Sequence, residues 1–183
     1  AGQPDLAVAI ADQVDRMRRQ IDYHLAHARA AASSAAPGAR TSVEAAASGL
    51  KRALERLHAD RAIAITLDID ASLTVRAHQQ DLEEMLGNLL DNACKWARSQ
   101  VRVHATSEGS VVRVVVDDDG PGLAAAMREA VLQRGVRADQ AAPGSGLGLA
   151  IVRDLAGVYG GSIALSESPL GGLRTALELP AAG

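Results

Sequence analysis

The chain has 183 residues and a formal net charge of −3, with 48% apolar and 22% charged residues. This is globular composition with enough length for a real core, and without a basic surplus it argues against a nucleic-acid partner. Its single cysteine, Cys94, excludes an intramolecular disulfide and a cysteine-cluster metal site. Aromatic residues make up only 2%, with no Phe and one Trp, so the core must be built from Leu, Val, Ile and Ala.

The N-terminus, Ala1-Gly2-Gln3-Pro4, lacks Met and a basic-then-apolar signal pattern. No apolar run reaches membrane-spanning length. From Asp5 to Ala32 the larger apolar residues Leu6, Ile10, Val14, Met17, Ile21 and Leu25 recur every three or four positions. This is one helical stripe, and a lone helix of that kind needs a bundle or coiled-coil partner. Ser33 to Arg40, with Pro37-Gly38, breaks the pattern. A capping box at Thr41-Ser42-Val43-Glu44 opens a helix carrying Val43, Ala47, Leu50, Leu54 and Leu57 and ending near Asp60. The reading divides the chain into a partial bundle helix (1–36), a connecting loop and helix (37–60) and a main domain (61–183).

Two strands are expected around Ile63–Ile69 and Leu73–Val75. A helix follows from about Gln79 to Ala97, with Leu82, Met85, Leu86, Leu89, Leu90 and Ala93 toward the core. Val101–Ala105 and Val111–Val116 read as a hairpin around Glu108-Gly109-Ser110. Then come a Gly-rich turn, a short helix, a Gly/Pro-rich loop and another helix. Two last strands, Gly161–Ser166 and Arg174–Leu179, are joined through Leu170-Gly171-Gly172.

Three clusters carry chemistry. On the 79–97 helix, Glu84, Asn88, Asp91, Asn92 and Lys95 share a stripe. Side-chain oxygens at this spacing suit a hard cation such as Mg²⁺, and a lysine one turn on can meet a phosphate. Most charged stripes are merely solvated, but two asparagines, mediocre helix formers, argue against that here. Second, the strand Val114-Val115-Val116 runs into Asp117-Asp118-Asp119-Gly120-Pro121-Gly122-Leu123, which puts carboxylates and close-approach glycines at a strand mouth. Third, Gly144-Ser145-Gly146-Leu147-Gly148 opens a helix, and free backbone N–H groups there suit phosphate. It lacks a P-loop Lys-Ser/Thr and does not follow a strand, so neither a P-loop nor a Rossmann reading fits.

In this order and spacing the clusters resemble the GHKL (Bergerat-type) ATP-binding fold. More narrowly, Asn-Leu-Leu-Asp-Asn-Ala-Cys-Lys-Trp with Asp-Asp-Gly-Pro-Gly and Gly-Ser-Gly-Leu-Gly-Leu resembles the catalytic domain of sensor histidine kinases. Arg134-Gly135-Val136-Arg137 is similar to a stretch of the PhoQ-like group. The resemblance covers about Ile63 to Pro180, and the first helix is similar to the second helix of a dimerisation hairpin. The fold implied is an α/β two-layer sandwich: a mixed sheet backed by helices, plus an N-terminal helical segment.

The resemblance implies ATP and Mg²⁺ as cofactors. Asn88 matches the Mg²⁺ ligand, Asn92 a second asparagine near the phosphates, and Lys95 and Arg137 phosphate contacts. Trp96 stands where the family places a Tyr against adenine, Asp119 matches the acceptor of the adenine amino group, and Gly122 and Leu123 lie beside it. Gly144, Ser145, Gly146, Leu147 and Gly148 form the lid hinge and phosphate seat. Glu84 matches the general-base carboxylate of GHKL hydrolases and would polarise the attacking imidazole in a kinase. Departures from the family are Leu132 in place of the usual lid Phe, Ala142 before Pro-Gly, and Ser145 instead of Gln.

No histidine has the context of a phosphoacceptor. His24 and His27 lie one turn apart with no third ligand; His58, His78 and His104 read as ordinary surface positions. The chain therefore reads as a soluble, cytoplasmic piece of a membrane-bound, homodimeric parent, binding ATP without phosphorylating itself. Its expected partners are the histidine-bearing helix of the same kinase and a response regulator. Rival readings are a GHKL serine kinase or ATPase, and a degenerate nucleotide-binding module.

Overall fold

The computed structural model describes residues 40–133, 136 and 146–182, together with Gln13, Met17 and Ile21. Those three are helical, and Met17 and Ile21 are more than half exposed, in keeping with a stripe that needs a partner. From residue 40 the elements are β1 (Thr41–Ser42), α1 (Val43–Leu57), a 3-10 turn (Ala59–Arg61), β2 (Ala64–Ile69), β3 (Thr74–Val75) and α2 (Gln79–Trp96). They continue with β4 (Gln100–Glu108), β5 (Val111–Asp118), α3 (Ala125–Arg128), a 3-10 turn (Ala130–Leu132), α4 (Gly148–Val158), β6 (Ser162–Glu167) and β7 (Leu173–Pro180).

Five strands form one mixed sheet in the order β2-β4-β5-β7-β6. Only β2 and β4 run parallel; the other pairs are antiparallel. Alternation along the strands gives the sheet two unlike faces. Ile65, Val101, Val103, Val112, Val114, Val116, Leu177 and Leu179 point into a core shared with α1, α2 and α4. Ala64, Thr66, Asp68, Arg102 and Thr106 line the other, exposed face. This is the expected two-layer sandwich. β1 and β3 pair separately as a small antiparallel ribbon, which periodicity could not reveal in two-residue strands.

α2 is the central helix, and its predicted apolar face is buried throughout: Leu82, Met85, Leu86, Leu89, Leu90 and Ala93 are at most 3% exposed. Its first turn is tied to the far end of α4. Tyr159 Oη donates to the buried Asp81 carboxylate at 2.5 Å and accepts from the His78 amide at 3.4 Å.

Around α1 the structure corrects three expectations. Ser42, not Thr41, is the N-cap, accepting from the Ala45 amide at 3.2 Å, while Thr41 Oγ1 donates to the Ala77 carbonyl and Glu44 accepts from Ser48. With Ser42 as the cap, the third helical residue is Ala45, not Glu44, so no capping box forms. Leu57 is 68% exposed instead of packed, because the helix ends there and the chain turns through Ala59–Arg61. His58 is not a surface histidine: its side chain is 13% exposed and its Nε2 lies 3.3 Å from Asp91 Oδ1.

Candidate nucleotide site

The site is assembled where α2, the end of β5, the β6–β7 turn and the start of α4 converge. On α2, Asn88 Nδ2 donates to the Glu84 carbonyl at 2.8 Å. This back-bond fixes the carboxamide and leaves Oδ1 pointing at the first turn of α4, where a Cβ on Gly148 would stand 3.0 Å from it. Glycine there lets the α4 N-terminus approach Asn88 closely. That end of α4 has no side-chain cap, so its first amides and the positive end of its dipole are available to an anion. Gly146 just before it has φ of +67°, a conformation suited to glycine.

Asn92 is half-buried on the same stripe. Lys95 is committed elsewhere on α2: its Nζ lies 2.5 Å from Asp91 Oδ2, and Asp91 also meets His58. Neighbouring Cys94 is fully buried, and burial first, then the nearby Asp91 charge, pushes its thiol up to about 11. It is therefore a core side chain and not a nucleophile. Among the described residues no group of three or more His, Cys, Asp or Glu is arranged to hold a metal ion. The oxygen donor facing the α4 amides is the Asn88 carboxamide, a donor type that suits Mg²⁺ completed by phosphate oxygens and water.

The three consecutive aspartates have three different fates. Asp117 faces the outer side and forms a two-pronged pair with its cross-strand neighbour Arg174, both bonds 2.8 Å. Asp118, two residues after Val116, falls on the helix side. It is 2% exposed, and its Oδ1 accepts from the Gly120 and Leu173 amides at 2.8 and 3.2 Å. Its Oδ2 has no hydrogen bond among the described residues. Burial pushes its carboxyl above the usual range, only partly offset by those two amides.

Asp119 turns the other way. Oδ1 accepts from the amides of Arg98, Ser99 and Gln100, and Oδ2 from Ser99 N and Ser99 Oγ, all within 3.2 Å. Burial alone would raise its pKa, but bonds from Ser99, Gln100 and Arg98 outweigh it and hold the carboxyl down at about 2. The residue expected to read adenine is thus spent on the backbone of the 98–100 turn, and the carboxylate with a spare buried oxygen is Asp118.

The sign of the Asp119 shift fixes a pH dependence. Its folded pKa lies below the unfolded value, so its stabilisation is complete above about pH 4 and is lost as pH falls toward 2. Asp119→Asn should lower stability at neutral pH by about 1–3 kcal/mol, because a carboxamide nitrogen cannot accept from those amides. The variant should also lose less stability than wild type between pH 4 and pH 2, as read by urea unfolding across that range.

Glycines pack the β5 turn into place. A Cβ on Gly120 would lie 2.5 Å from the Trp96 carbonyl oxygen, so the turn sits directly against the C-terminal end of α2. Gly122 has φ of +73° and lies against the Gly172 carbonyl. Gly172 is the residue that sequence reasoning missed: a Cβ there would stand 2.1 Å from Asp118 Oδ1. Its only sequence signal was the Gly171-Gly172 pair in a hairpin turn. Trp96, 37% exposed, ends α2 beside this turn. Leu123 is half-buried, with its carbonyl accepting from Arg128 Nε. Leu132, the aliphatic stand-in for the lid aromatic, is buried in its 3-10 turn, and Leu147 packs against the core.

The structure therefore brings together Asn88 and Gly148 at one end and Trp96, Asp118, Gly120 and Gly122 at the other. Arg137, Ala142, Gly144, Ser145, His24 and His27 lie outside the described residues.

The family model described as histidine kinase-, DNA gyrase B-, and HSP90-like ATPase matches residues 77–183. The sensor protein kinase CarS of Pseudomonas aeruginosa is 41% identical over 180 residues, which is 98% of this chain and 40% of CarS. The sensor protein PhoQ of Escherichia coli K12 is 34% identical over 170 residues, 93% of this chain and 35% of PhoQ. The chain thus spans two fifths or less of the length of these relatives. The crystal structure of full-length ShkA in complex with AMPPNP matches with a TM-score of 0.75 at 26% identity, over 100% of this chain and 39% of that one. The chain belongs to the histidine kinase-, DNA gyrase B- and HSP90-like ATPase family.

Proposed function

We propose that this domain binds ATP with Mg²⁺ and delivers the γ-phosphoryl group to a histidine on a dimerisation helix of the same kinase, from which a response regulator takes it. The parent works as a homodimer in the cell membrane with this domain on the cytoplasmic side. The observation that carries the reading is a pair of acceptors with no hydrogen bond among the described residues beside a helix end with no side-chain cap: Asn88 Oδ1 against the α4 N-terminus, and Asp118 Oδ2 buried at the strand mouth.

The adenine role passes from Asp119 to Asp118. Its spare oxygen accepts the adenine amino group, and the indole of Trp96 forms the ring wall. Gly120, Gly122 and Leu123 shape the turn around the base. At the other end, Asn88 Oδ1 is the protein ligand for Mg²⁺, which neutralises phosphate charge when bound. Amides from Gly148 onward receive phosphate oxygens, and Asn92, Arg137, Gly144, Ser145, Gly146 and Leu147 supply the remaining phosphate contacts. Lys95 reaches the phosphates by exchanging its Asp91 partner, since its ammonium is paired there. Glu84 polarises the attacking imidazole. The P–N bond to histidine forms as the bond to the ADP oxygen breaks, so catalysis rests on positioning and charge neutralisation.

The test supplies the domain with Mg²⁺, labelled ATP and the histidine-bearing hairpin of its own kinase. Acid-labile label should appear on the hairpin and not on this chain, and vanish with Asn88→Ala. Steady Glu84-dependent hydrolysis with an unlabelled hairpin would instead identify an ATPase.

A further inference from the structure

The segment from Cys94 to Gln100, which carries Trp96, is held by two oppositely charged side chains that do not pair with each other. From the turn after α1, Arg61 Nη1 donates to the carbonyls of Cys94 and Lys95 at 2.8 and 2.7 Å, and Nη2 donates to the Ala97 carbonyl at 2.7 Å. These are carbonyls at the C-terminal end of α2, where the dipole favours a cation and intrahelical donors run out. Three residues on, the carboxylate of Asp119 gathers the amides of Arg98, Ser99 and Gln100. Between the two grips the backbone leaves the helix, with Ala97 at φ −55°, ψ 147°. Trp96 lies at that bend, and its carbonyl oxygen packs against Gly120.

We propose that Arg61 and Asp119 are positioning residues for adenine recognition, one holding the carbonyls and the other the amides that flank Trp96, so that the indole is fixed relative to Asp118. The inference rests on the adenine reading given above. The planar fork spreads its donors over separate nitrogens, so Nη1 meets the Cys94 and Lys95 carbonyls while Nη2 meets that of Ala97, whereas an ammonium offers its three donors from a single atom. Without Arg61 the last turn of α2 is free to fray and the indole moves with it. Asp119 is covalently next to Asp118, so the same clamp sets both walls of the base site.

The test titrates two ligands, ATP and inorganic tripolyphosphate (a polyphosphate without a base), each with Mg²⁺, into wild type, Arg61→Ala and Arg61→Lys at a temperature where all are folded. Arg61→Ala should weaken ATP about tenfold, the scale of a lost aromatic contact, and leave tripolyphosphate within about twofold, with Arg61→Lys between the extremes. Equal weakening of both ligands, or unchanged ATP affinity beside a lowered Tm, would overturn the proposal and leave Arg61 as a helix cap only. If wild type binds tripolyphosphate but shows no gain from adenine, the adenine reading itself fails. The ligand-free protein then still decides the clamp: Trp96 emission anisotropy should fall in Arg61→Ala, and an unchanged value refutes it.

Discussion

Gly172→Ala should destabilise the domain by about 2–4 kcal/mol and abolish nucleotide binding in the fraction that remains folded. The added methyl would stand 2.1 Å from Asp118 Oδ1 and 2.5 Å from both the Asp118 carbonyl oxygen and the Gly120 amide nitrogen. Two of those three atoms are backbone, so no side-chain rotation relieves the overlap. The β6–β7 turn must lift away from the β5 turn, and Asp118 then loses the Leu173 amide that holds it. Gly171→Ala is the internal comparison: φ is +95° there but nothing lies within 4 Å, so only backbone strain of roughly 1–2 kcal/mol is expected. Urea unfolding with ATP titration separates the two. Equal stability losses, with binding retained in both, would show that the turn does not support the site.

Asn88→Ala should do the reverse, leaving stability near wild type while reducing Mg²⁺-dependent ATP affinity by at least about tenfold. The side chain makes one local bond, to the Glu84 carbonyl, and alanine is the better helix former, so the folding terms nearly cancel. What is lost is the oxygen facing Gly148. Thermal unfolding and titrations with and without Mg²⁺ give the two readouts. A variant that keeps the full Mg²⁺ effect would remove Asn88 from the metal.

Much of this arrangement was legible in the sequence. The α2 stripe could be read because its apolar partner stripe has an unbroken helical period, and the β4–β5 hairpin because the alternating Val101–Ala105 and the valine-rich Val111–Val116 flank Gly109. The choice among three consecutive aspartates was harder. The resemblance assigned the adenine contact to Asp119, whereas the Asp-x-Gly-x-Gly spacing counted back from Gly120 and Gly122, and strand alternation from Val114 through Val116, both lead to Asp118. Arg61 and His58 left no local pattern, and Gly172 left only the Gly171-Gly172 pair of a hairpin turn. Their roles depend on the C-terminal end of α2, on Asp91 and on Asp118, at sequence separations of about 33 to 54 residues, so only tertiary packing reveals them. The capping box failed because the helix starts one residue later than expected, at Val43, which puts Ala45 and not Glu44 three residues after the cap.

Adenine and guanine differ where it matters for Asp118, since one presents an amino group and the other a carbonyl oxygen at the same ring position. The direct measurement is therefore a titration of ATP and of GTP, each with Mg²⁺, followed by Trp96 fluorescence in wild type, Asp118→Asn and Asp119→Asn. Wild type should bind ATP saturably and in preference to GTP; Asp118→Asn should lose that preference, and folded Asp119→Asn should retain a bias toward ATP. Equal binding of ATP and GTP by wild type, or a preference lost in Asp119→Asn but intact in Asp118→Asn, would contradict the account.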